Sequence, residues 1–161
     1  MNSNELKQLG FTKAGDVDVV SRNDVPDLNA IHTPFASEVK SGVYCWVLVN
    51  DTNKKEEVIY IGKYGKSIKK RWGEHKQGFR GGSGTGMKNA EYIIQQLEET
   101  DIRMELWGKQ SHVEEFSYTN IVGTEITKTF STYSVDEEDL IAFYIQKNGK
   151  RPALNRTKGG N

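Results

Sequence analysis

Two apolar segments joined by a polar loop constrain the fold of this chain more than any other feature. Residues 42–50 read GVYCWVLVN, a nearly continuous apolar run that is typical of a strand buried on both faces. Residues 58–62 read VIYIG and give a second short strand pattern. The stretch between them is polar and rich in turn formers, so the two strands are predicted to form an antiparallel hairpin. Alternation along the first strand places Tyr44, Trp46 and Leu48 on one face.

The segment after this hairpin has the spacing of an amphipathic helix. Ser67 is a candidate cap for a helix over residues 67–79. Four side chains recur on one stripe of that helix: Ile68, Trp72, His75 and Phe79. Arg71 lies four residues before His75 and therefore beside it, at the edge of the stripe.

Three further elements are predicted along the chain. MKNAEYIIQQLEET, residues 87–100, is a second amphipathic helix. Alternating apolar residues predict a strand at 101–108. VDEEDLIAFYIQKNG, residues 135–149, is a helix that opens with acids, as the positive end of its dipole favours.

The remaining segments carry weaker patterns. Residues 1–40, with two prolines, are predicted to be loops with one short helix. RGGSGTG, residues 80–86, is predicted to be a flexible loop. Residues 111–132 are Thr-rich and ambiguous, with short strands expected around Ile121 and Ile126. No internal repeat or linker divides the 161 residues, so a single folding unit is expected.

Charge is segregated along the chain, although the formal net charge is zero. Residues 63–80 hold seven cations against one acid, and residues 147–158 hold five cations against none. The rest of the chain is acidic. If the two basic segments meet in space, they form a positive face on an acidic body, which suits nucleic acid. The ordinary alternative is two unrelated solvated helix faces.

Several classes of protein are disfavoured by the sequence. No apolar run approaches the roughly 18 residues of a membrane span, and the N-terminal residues lack a signal-peptide pattern. Cys45 is the one cysteine, so no internal disulfide forms and a cytoplasmic protein is expected. His32, His75 and His112 are too far apart in sequence to indicate a metal cluster. GGSGTGMK lacks the Gly-Lys-Ser/Thr sequence and the preceding strand of a phosphate-binding loop.

One dispersed set of polar residues remains to be explained. Each has an ordinary interpretation when it is taken alone: a strand tyrosine in a core, a solvated cation, a packed histidine, a first-turn acid or a turn asparagine. The set comprises Tyr44, Tyr60, Lys63, Arg71, His75, Glu137 or Glu138, and Asn155.

Taken in order, these residues resemble the GIY-YIG nuclease superfamily. The matching motifs are Gly42-Val43-Tyr44, Tyr60-Ile61-Gly62 with Lys63, Arg71 with His75, Glu137 before Leu140-Ile141, and Pro152 to Asn155. The resemblance covers about residues 42–155. It implies an α/β (α+β) fold in which a central three-stranded antiparallel sheet is flanked by helices. Residues 41–161 would form the nuclease domain, with an insertion around 80–132. Residues 1–40 would be an N-terminal extension that serves DNA recognition or dimerisation.

The resemblance also implies a chemistry, the Mg²⁺- or Mn²⁺-dependent hydrolysis of phosphodiesters in double-stranded DNA. Glu137 would hold the metal, with Glu138 as the neighbouring alternative, and Arg71 would clamp the phosphate. Tyr44 would be the base or the phenol that orients the water, and the role of base requires cations such as Lys63 and Arg71 to lower its pKa. Tyr60 and His75 would position water and phosphate or share a proton relay, and Asn155 would brace the site. Basic residues beside the site would contact the DNA backbone: Lys66, Lys69, Lys70, Lys76, Arg80, Arg156 and Lys158.

Two departures from the family pattern refine this expectation. Val43 replaces the usual isoleucine, which is conservative. His75 stands where many relatives have tyrosine, and it points to the restriction endonucleases of the family. With few residues after Asn155, the chain is most similar to a stand-alone type II restriction enzyme, partnered by a DNA methyltransferase that acts on the same site. A low-specificity phage, mobile-element or defence endonuclease and a catalytically inert binding module are the alternatives. Cutting both strands with one site per chain favours a homodimer or higher homo-oligomer.

Overall fold

The computed structural model describes residues 1–156 and is organised around a five-stranded antiparallel sheet. The strands follow the order β2-β1-β5-β3-β4, so β3 is flanked by β5 and β4, and β4 is an edge strand. A separate two-stranded sheet is formed by β6 and β7. The strand bounds are β1 Thr12–Arg22, β2 Val25–His32, β3 Gly42–Asn50, β4 Glu56–Tyr64, β5 Ile102–Gln110, β6 Val113–Thr119 and β7 Glu125–Ser131.

Helices cover both faces of the large sheet. One hydrophobic cluster joins the face that carries Tyr44, Trp46 and Leu48 to the helices α3 and α4. A second joins the opposite face, which carries Cys45 and its odd-numbered neighbours, to α1 and α5. The helix bounds are α1 Ser3–Gln8, α2 Phe35–Glu38, α3 Ile68–Gln77, α4 Gly84–Leu97 and α5 Tyr133–Asn148, and a π-helical turn over Gly78–Gly82 joins α3 to α4.

The fold class expected from the sequence is confirmed, and three of the strands lie where they were predicted. β3 matches the predicted strand over its whole length, β4 is longer than predicted, and β5 is shifted by one or two residues. β3 lies between the other two predicted strands and is buried on both faces. Its sequence is therefore continuously apolar, and this pattern identified the strand.

The prediction of loops for residues 1–40 is wrong for most of that segment. β1 pairs with β5 and therefore extends the central sheet, and β2 pairs with β1 to form its other edge. Asn23 and Asp24 form the two-residue turn that joins β1 to β2. Their φ angles of 50° and 61° are the positive values that such a hairpin turn requires at both positions. Pro26 is tolerated in β2 because that strand lies at the sheet edge.

The 80–132 region also differs from the prediction. The segment predicted to be a flexible glycine-rich loop instead forms the end of the π-helical turn and the first turn of α4. Residues 113–131 form one long hairpin, in which Ile126 lies on β7 as expected. The strand expected around Ile121 is wrong, since that residue lies in the turn and is fully exposed. No helix within residues 1–156 is long and apolar enough to cross a membrane.

Candidate active site

An aromatic cluster on the α3 face of the sheet forms the floor of the candidate site. Tyr44 and Trp46 come from β3, Tyr60 comes from β4, and His75 comes from α3. The His75 ring lies 4.8 Å from Trp46, 5.7 Å from Tyr60 and 5.9 Å from Tyr44, measured between centroids. The register opposes Trp46 to Tyr60 across the two strands, which holds both rings beneath the helix.

A hydrogen bond between the Tyr44 hydroxyl and His75 Nε2 links the strand to the helix. Burial raises the pKa of Tyr44 well above its usual value, and Tyr60 adds to that effect, while nearby Arg71 opposes it. Burial, followed by the charge of Arg71, lowers the pKa of His75 to about 4, against a smaller opposing effect of Glu74. At neutral pH the pair is therefore a neutral phenol beside a neutral imidazole.

The expectation that cations lower the pKa of Tyr44 is not met. Lys63 lies on the opposite face of the sheet, since it follows Gly62 by one residue on the same strand. The effect of Arg71 is smaller than the cost of placing a phenolate in a buried site. Tyr44 is 2% exposed, whereas His75 lines an open cavity, so the imidazole is the better-placed proton acceptor.

His75 also predicts how the stability of the protein depends on pH. Its pKa is about 4 in the fold against 6.5 for an ordinary histidine, so between these values the unfolded chain binds more protons than the native one. The free energy of unfolding is therefore expected to fall as the pH drops from 6.5 towards 4, by about 3 kcal/mol in total from this group. Urea denaturation of the wild type and of His75→Gln across that range measures the effect.

The matched control for this experiment is His112→Gln, because the His112 side chain is 67% exposed. That variant should keep the acid sensitivity of the wild type, and His75→Gln should lose much of it. Parallel pH curves for the wild type and His75→Gln would contradict the assignment.

Gly62 is required by the close packing of the two tyrosines. A Cβ atom at this position would lie 2.7 Å from the Tyr44 hydroxyl and 2.7 Å from Cε1 of Tyr60. Gly62→Ala is expected to destabilise the fold by roughly 1–3 kcal/mol because the rings must move. Gly73→Ala, in the middle of α3 with no atom within 4 Å of its Cβ, should instead stabilise it by about 0.5–1 kcal/mol. Chemical denaturation compares the two, and equal effects would contradict the packing argument.

Arg71 lies at the mouth of the cavity that His75 lines. Its Nη1 donates to Glu74 Oε2 at 2.6 Å, while its buried Nε makes no hydrogen bond within the described residues. Burial lowers the pKa of Arg71, but the bond to Glu74 and the nearby Tyr44 phenol outweigh that effect and raise it, so the guanidinium is permanently charged. The cavity encloses about 400 Å³ and is lined by Tyr60, Arg71, Glu74, His75, Gly78, Ser83, Thr85, Gly86, Asn89, Leu154, Asn155 and Arg156.

Asn155 attaches the last described segment of the chain to β4. Its Oδ1 accepts from Ile61 N at 2.7 Å, and its Nδ2 donates to Ile61 O at 2.7 Å. Leu154 adds a main-chain bond to Ile59 at 2.8 Å. Both polar atoms of the amide are thus bound to the backbone of the strand between Tyr60 and Gly62. The amide holds this segment against β4 and has no polar atom left over for a substrate.

Lys63 and Glu137 form a second cluster on the α5 side of the sheet. Lys63 Nζ lies 3.2 Å from Glu137 Oε2 and donates to Ser134 Oγ at 3.2 Å. Neither Lys63 nor Glu137 lines the cavity of Arg71 and His75. Tyr60 and Lys63 lie three residues apart on β4, an edge strand, and therefore project from opposite faces of the sheet.

Glu137, the residue that the resemblance assigns to a metal, forms an ion pair with Lys63. Its side chain is 19% exposed and lies on the face of α5 that packs on the sheet, as does Leu140 three residues later. Glu138 is exposed and lies about 100° further round the helix. No group of three or more His, Cys, Asp or Glu side chains that could hold a metal occurs in residues 1–156. A single carboxylate is sufficient for Mg²⁺, which keeps several waters and binds substrate phosphate.

The predicted DNA-contacting residues fall into three groups. Lys66, Lys69 and Lys70 are exposed along the start of α3, beside Arg71. Lys76 and Arg80 instead pair with Asp27 of β2, at 3.9 Å and 2.5 Å, so part of their charge is neutralised. Arg156 lines the cavity, whereas Lys158 lies outside the described residues.

The two basic segments meet only in part. Arg156 reaches the cavity beside α3 and donates to Thr85 on α4. Lys147 pairs with Glu5, and Lys150 pairs with Glu57 at 3.7 Å. These two cations are thus paired with acids away from the cavity.

Several residues of the site were not predicted from the sequence. Glu74 was counted only as an isolated acid, although its position three residues after Arg71 allowed an ion pair. Asn89 lies four residues before Ile93, on the apolar side of α4. A polar residue on such a face needs a hydrogen-bond partner, so its position could have indicated a site residue. The Asp27 contacts join segments 53 residues apart, and no local pattern reports them.

This architecture, an antiparallel sheet flanked by helices within a mixed α+β fold, is shared by one solved nuclease structure with a TM-score above 0.5. A glutamate-to-alanine mutant of bacteriophage T4 EndoII matches 95% of this chain and 97% of its own at 19% sequence identity, with a TM-score of 0.60. The restriction endonuclease HPY188I in complex with product DNA matches 94% of this chain and 84% of its own at 19% identity, with a TM-score of 0.43. No protein-family model and no curated protein sequence matches the chain.

Proposed function

We propose that this protein is a DNA endonuclease that hydrolyses phosphodiesters with Mg²⁺ or Mn²⁺. The observation that carries the proposal is the placement of a permanently charged Arg71 and a neutral His75 in one open cavity, with Glu137 at the adjacent strand edge. A cation for the phosphate, a base for water and a carboxylate for a metal are the parts that phosphodiester hydrolysis needs. The shared fold with T4 EndoII supports the same class.

The proton path runs through His75. When Nε2 carries the proton and donates to Tyr44, Nδ1 is the free acceptor of the imidazole. His75 takes a proton from the attacking water as the water oxygen bonds to phosphorus and the leaving oxygen departs. Tyr44, kept neutral by burial, orients the ring. Tyr60 lines the cavity and positions the water or the phosphate.

Binding and charge stabilisation come from the remaining residues. Arg71 holds the scissile phosphate through the permanently charged guanidinium that lines the cavity. Asn155 keeps the strand that carries Tyr60 and Lys63 in place. Glu137 would hold the metal, which supplies charge neutralisation at the phosphate and the leaving oxygen when bound. Lys63 orients Glu137 through their ion pair.

Two specificities remain as candidates within this function. A type II restriction enzyme, acting in the cytoplasm with a methyltransferase for the same site, follows from the resemblance and from His75. A stand-alone endonuclease of low specificity, of a phage, mobile element or defence system, is the second candidate. Incubating several phage DNAs with the protein and Mg²⁺ separates them. Discrete fragments identify a sequence-specific enzyme, a smear identifies a nonspecific one, and binding without cleavage identifies an inert module.

A homodimer is part of the proposal, and the β6–β7 hairpin is the surface that supports it. Cross-strand register groups Phe116, Tyr118 and Phe130 on one face of this hairpin, where they are 51%, 38% and 55% exposed. Two-stranded hairpins are marginal in water unless a face is covered. Residues 113–131 hold three acids and one lysine, so this hairpin would repel the DNA backbone. A second copy of the chain is therefore the better partner for its aromatic face. Sedimentation velocity of the wild type and of Phe130→Ser measures this pairing.

A further inference from the structure

The glycine-rich segment that precedes α4 is a fixed part of the candidate site. Ser83 caps the helix, because its Oγ accepts from Gly86 N at 2.9 Å. Gly86 packs directly on the π-helical turn, where a Cβ atom would lie 2.4 Å from the carbonyl carbon of Gly78. The start of α4 is therefore anchored to the end of α3, and the glycines serve this close approach.

The first turn of α4 presents hydrogen-bond donors to the cavity of Arg71 and His75. Ser83, Thr85 and Gly86 line that cavity. The N–H groups of Gly84 and Thr85 are the first two of a 14-residue helix, so they have no acceptor within it. The helix dipole adds positive partial charge at this end, which favours an anion.

Asn89 provides an independent indication that a ligand binds here. It lies one turn further along α4, is 7% exposed and lines the same cavity. Its side-chain amide makes no hydrogen bond to any residue between 1 and 156. The amide therefore faces the open cavity, where a ligand can supply the hydrogen-bond partners that the protein does not.

Arg156 adds a full positive charge beside these donors. Its Nη1 donates to Thr85 Oγ1 at 3.4 Å, and it lines the cavity from the segment that follows Asn155. The one acid that lines the cavity, among the described residues, is Glu74, which is paired with Arg71. The α4 end of the cavity is thus a set of donors with one cation and no acid of its own.

We infer that Thr85, Asn89 and Arg156 seat a second backbone phosphate, the neighbour of the scissile phosphate held by Arg71 on the same DNA strand. This inference rests on the proposed function and names the part of the substrate that the other end of the cavity binds. The three residues are positioning residues, because they hold the strand in place and do not touch the bond that breaks.

The test uses a short duplex with a mapped cleavage position and a matched duplex in which the flanking phosphate is a neutral methylphosphonate. With the unmodified duplex, Asn89→Leu is expected to raise KM about tenfold and to change kcat by less than about threefold. The neutral linkage should raise KM for the wild type by a similar factor and add little for Asn89→Leu, since both changes remove the same contact. Thr85→Val provides a second variant if Asn89→Leu does not fold.

Gln95→Leu is the matched control, because it makes a similar amide-to-leucine change at an exposed position of α4 outside the cavity. It should keep the KM of the wild type and its full sensitivity to the neutral linkage. One outcome would overturn this inference alone: the wild type cuts DNA, and the neutral linkage raises KM equally for the wild type, Asn89→Leu and Thr85→Val. A wild type that cuts no DNA would overturn the proposed function and this inference with it.

Discussion

Glu137→Gln is expected to abolish DNA cleavage while DNA binding is retained. The substitution keeps the size of the side chain and removes the negative charge that a divalent cation requires. The rate should fall at least roughly a thousandfold, because loss of the metal removes charge stabilisation at both the phosphate and the leaving group. Cleavage of labelled duplex DNA and electrophoretic mobility shift on the same preparation measure the two properties separately.

Glu138→Gln is the matched control for the metal ligand. It makes the same chemical change one residue further along α5, at an exposed position. Its activity should stay close to that of the wild type. If Glu138→Gln is inactive and Glu137→Gln is active, the assignment of the ligand is wrong by one residue.

Arg71→Ala is expected to lower the cleavage rate at least about a hundredfold, which is the usual cost of removing one group that stabilises charge in a transition state. The permanently charged guanidinium lines the cavity, and its free Nε is directed at no protein acceptor within the described residues. Single-turnover kinetics at saturating protein separate this loss from weaker binding.

Arg71→Lys distinguishes charge from geometry at the same position. Lysine keeps the positive charge and loses the forked donor arrangement that suits a phosphate. Its rate should therefore lie between those of the wild type and Arg71→Ala. A loss of less than tenfold in Arg71→Ala would contradict the role of Arg71 as the phosphate clamp.

The central hairpin and the α3 stripe were predictable because their patterns are local. Ile68, Trp72 and Phe79 are all buried, as their helical spacing predicts. His75 lies between them, and the family resemblance assigned it a site role without indicating that its partner is Tyr44. That partner lies 31 residues away, so only the packing of strand and helix reveals the hydrogen bond.

The N-terminal strands were missed because their signals were read as loop signals. Asn23-Asp24 is a hairpin turn, and Pro26 is compatible with an edge strand, but both residues are also common in loops. The role of this segment also depends on distant contacts. Asp27 binds Arg80 and Lys76 near the end of α3, so β2 supports the helix that carries His75.

The division of the predicted site into two clusters could not be predicted from the sequence either. The motif order places Lys63 directly after Gly62, and strand alternation then turns it away from Tyr44. Its partner Glu137 lies on α5, 74 residues later in the sequence.

The endonuclease activity is measured most directly as cleavage of supercoiled plasmid DNA by the purified wild type, with Mg²⁺ and after addition of EDTA. We expect nicked and linear products that require Mg²⁺, disappear with EDTA and are absent with Glu137→Gln. Plasmid that is bound by the protein yet stays supercoiled at every Mg²⁺ and Mn²⁺ concentration would contradict it.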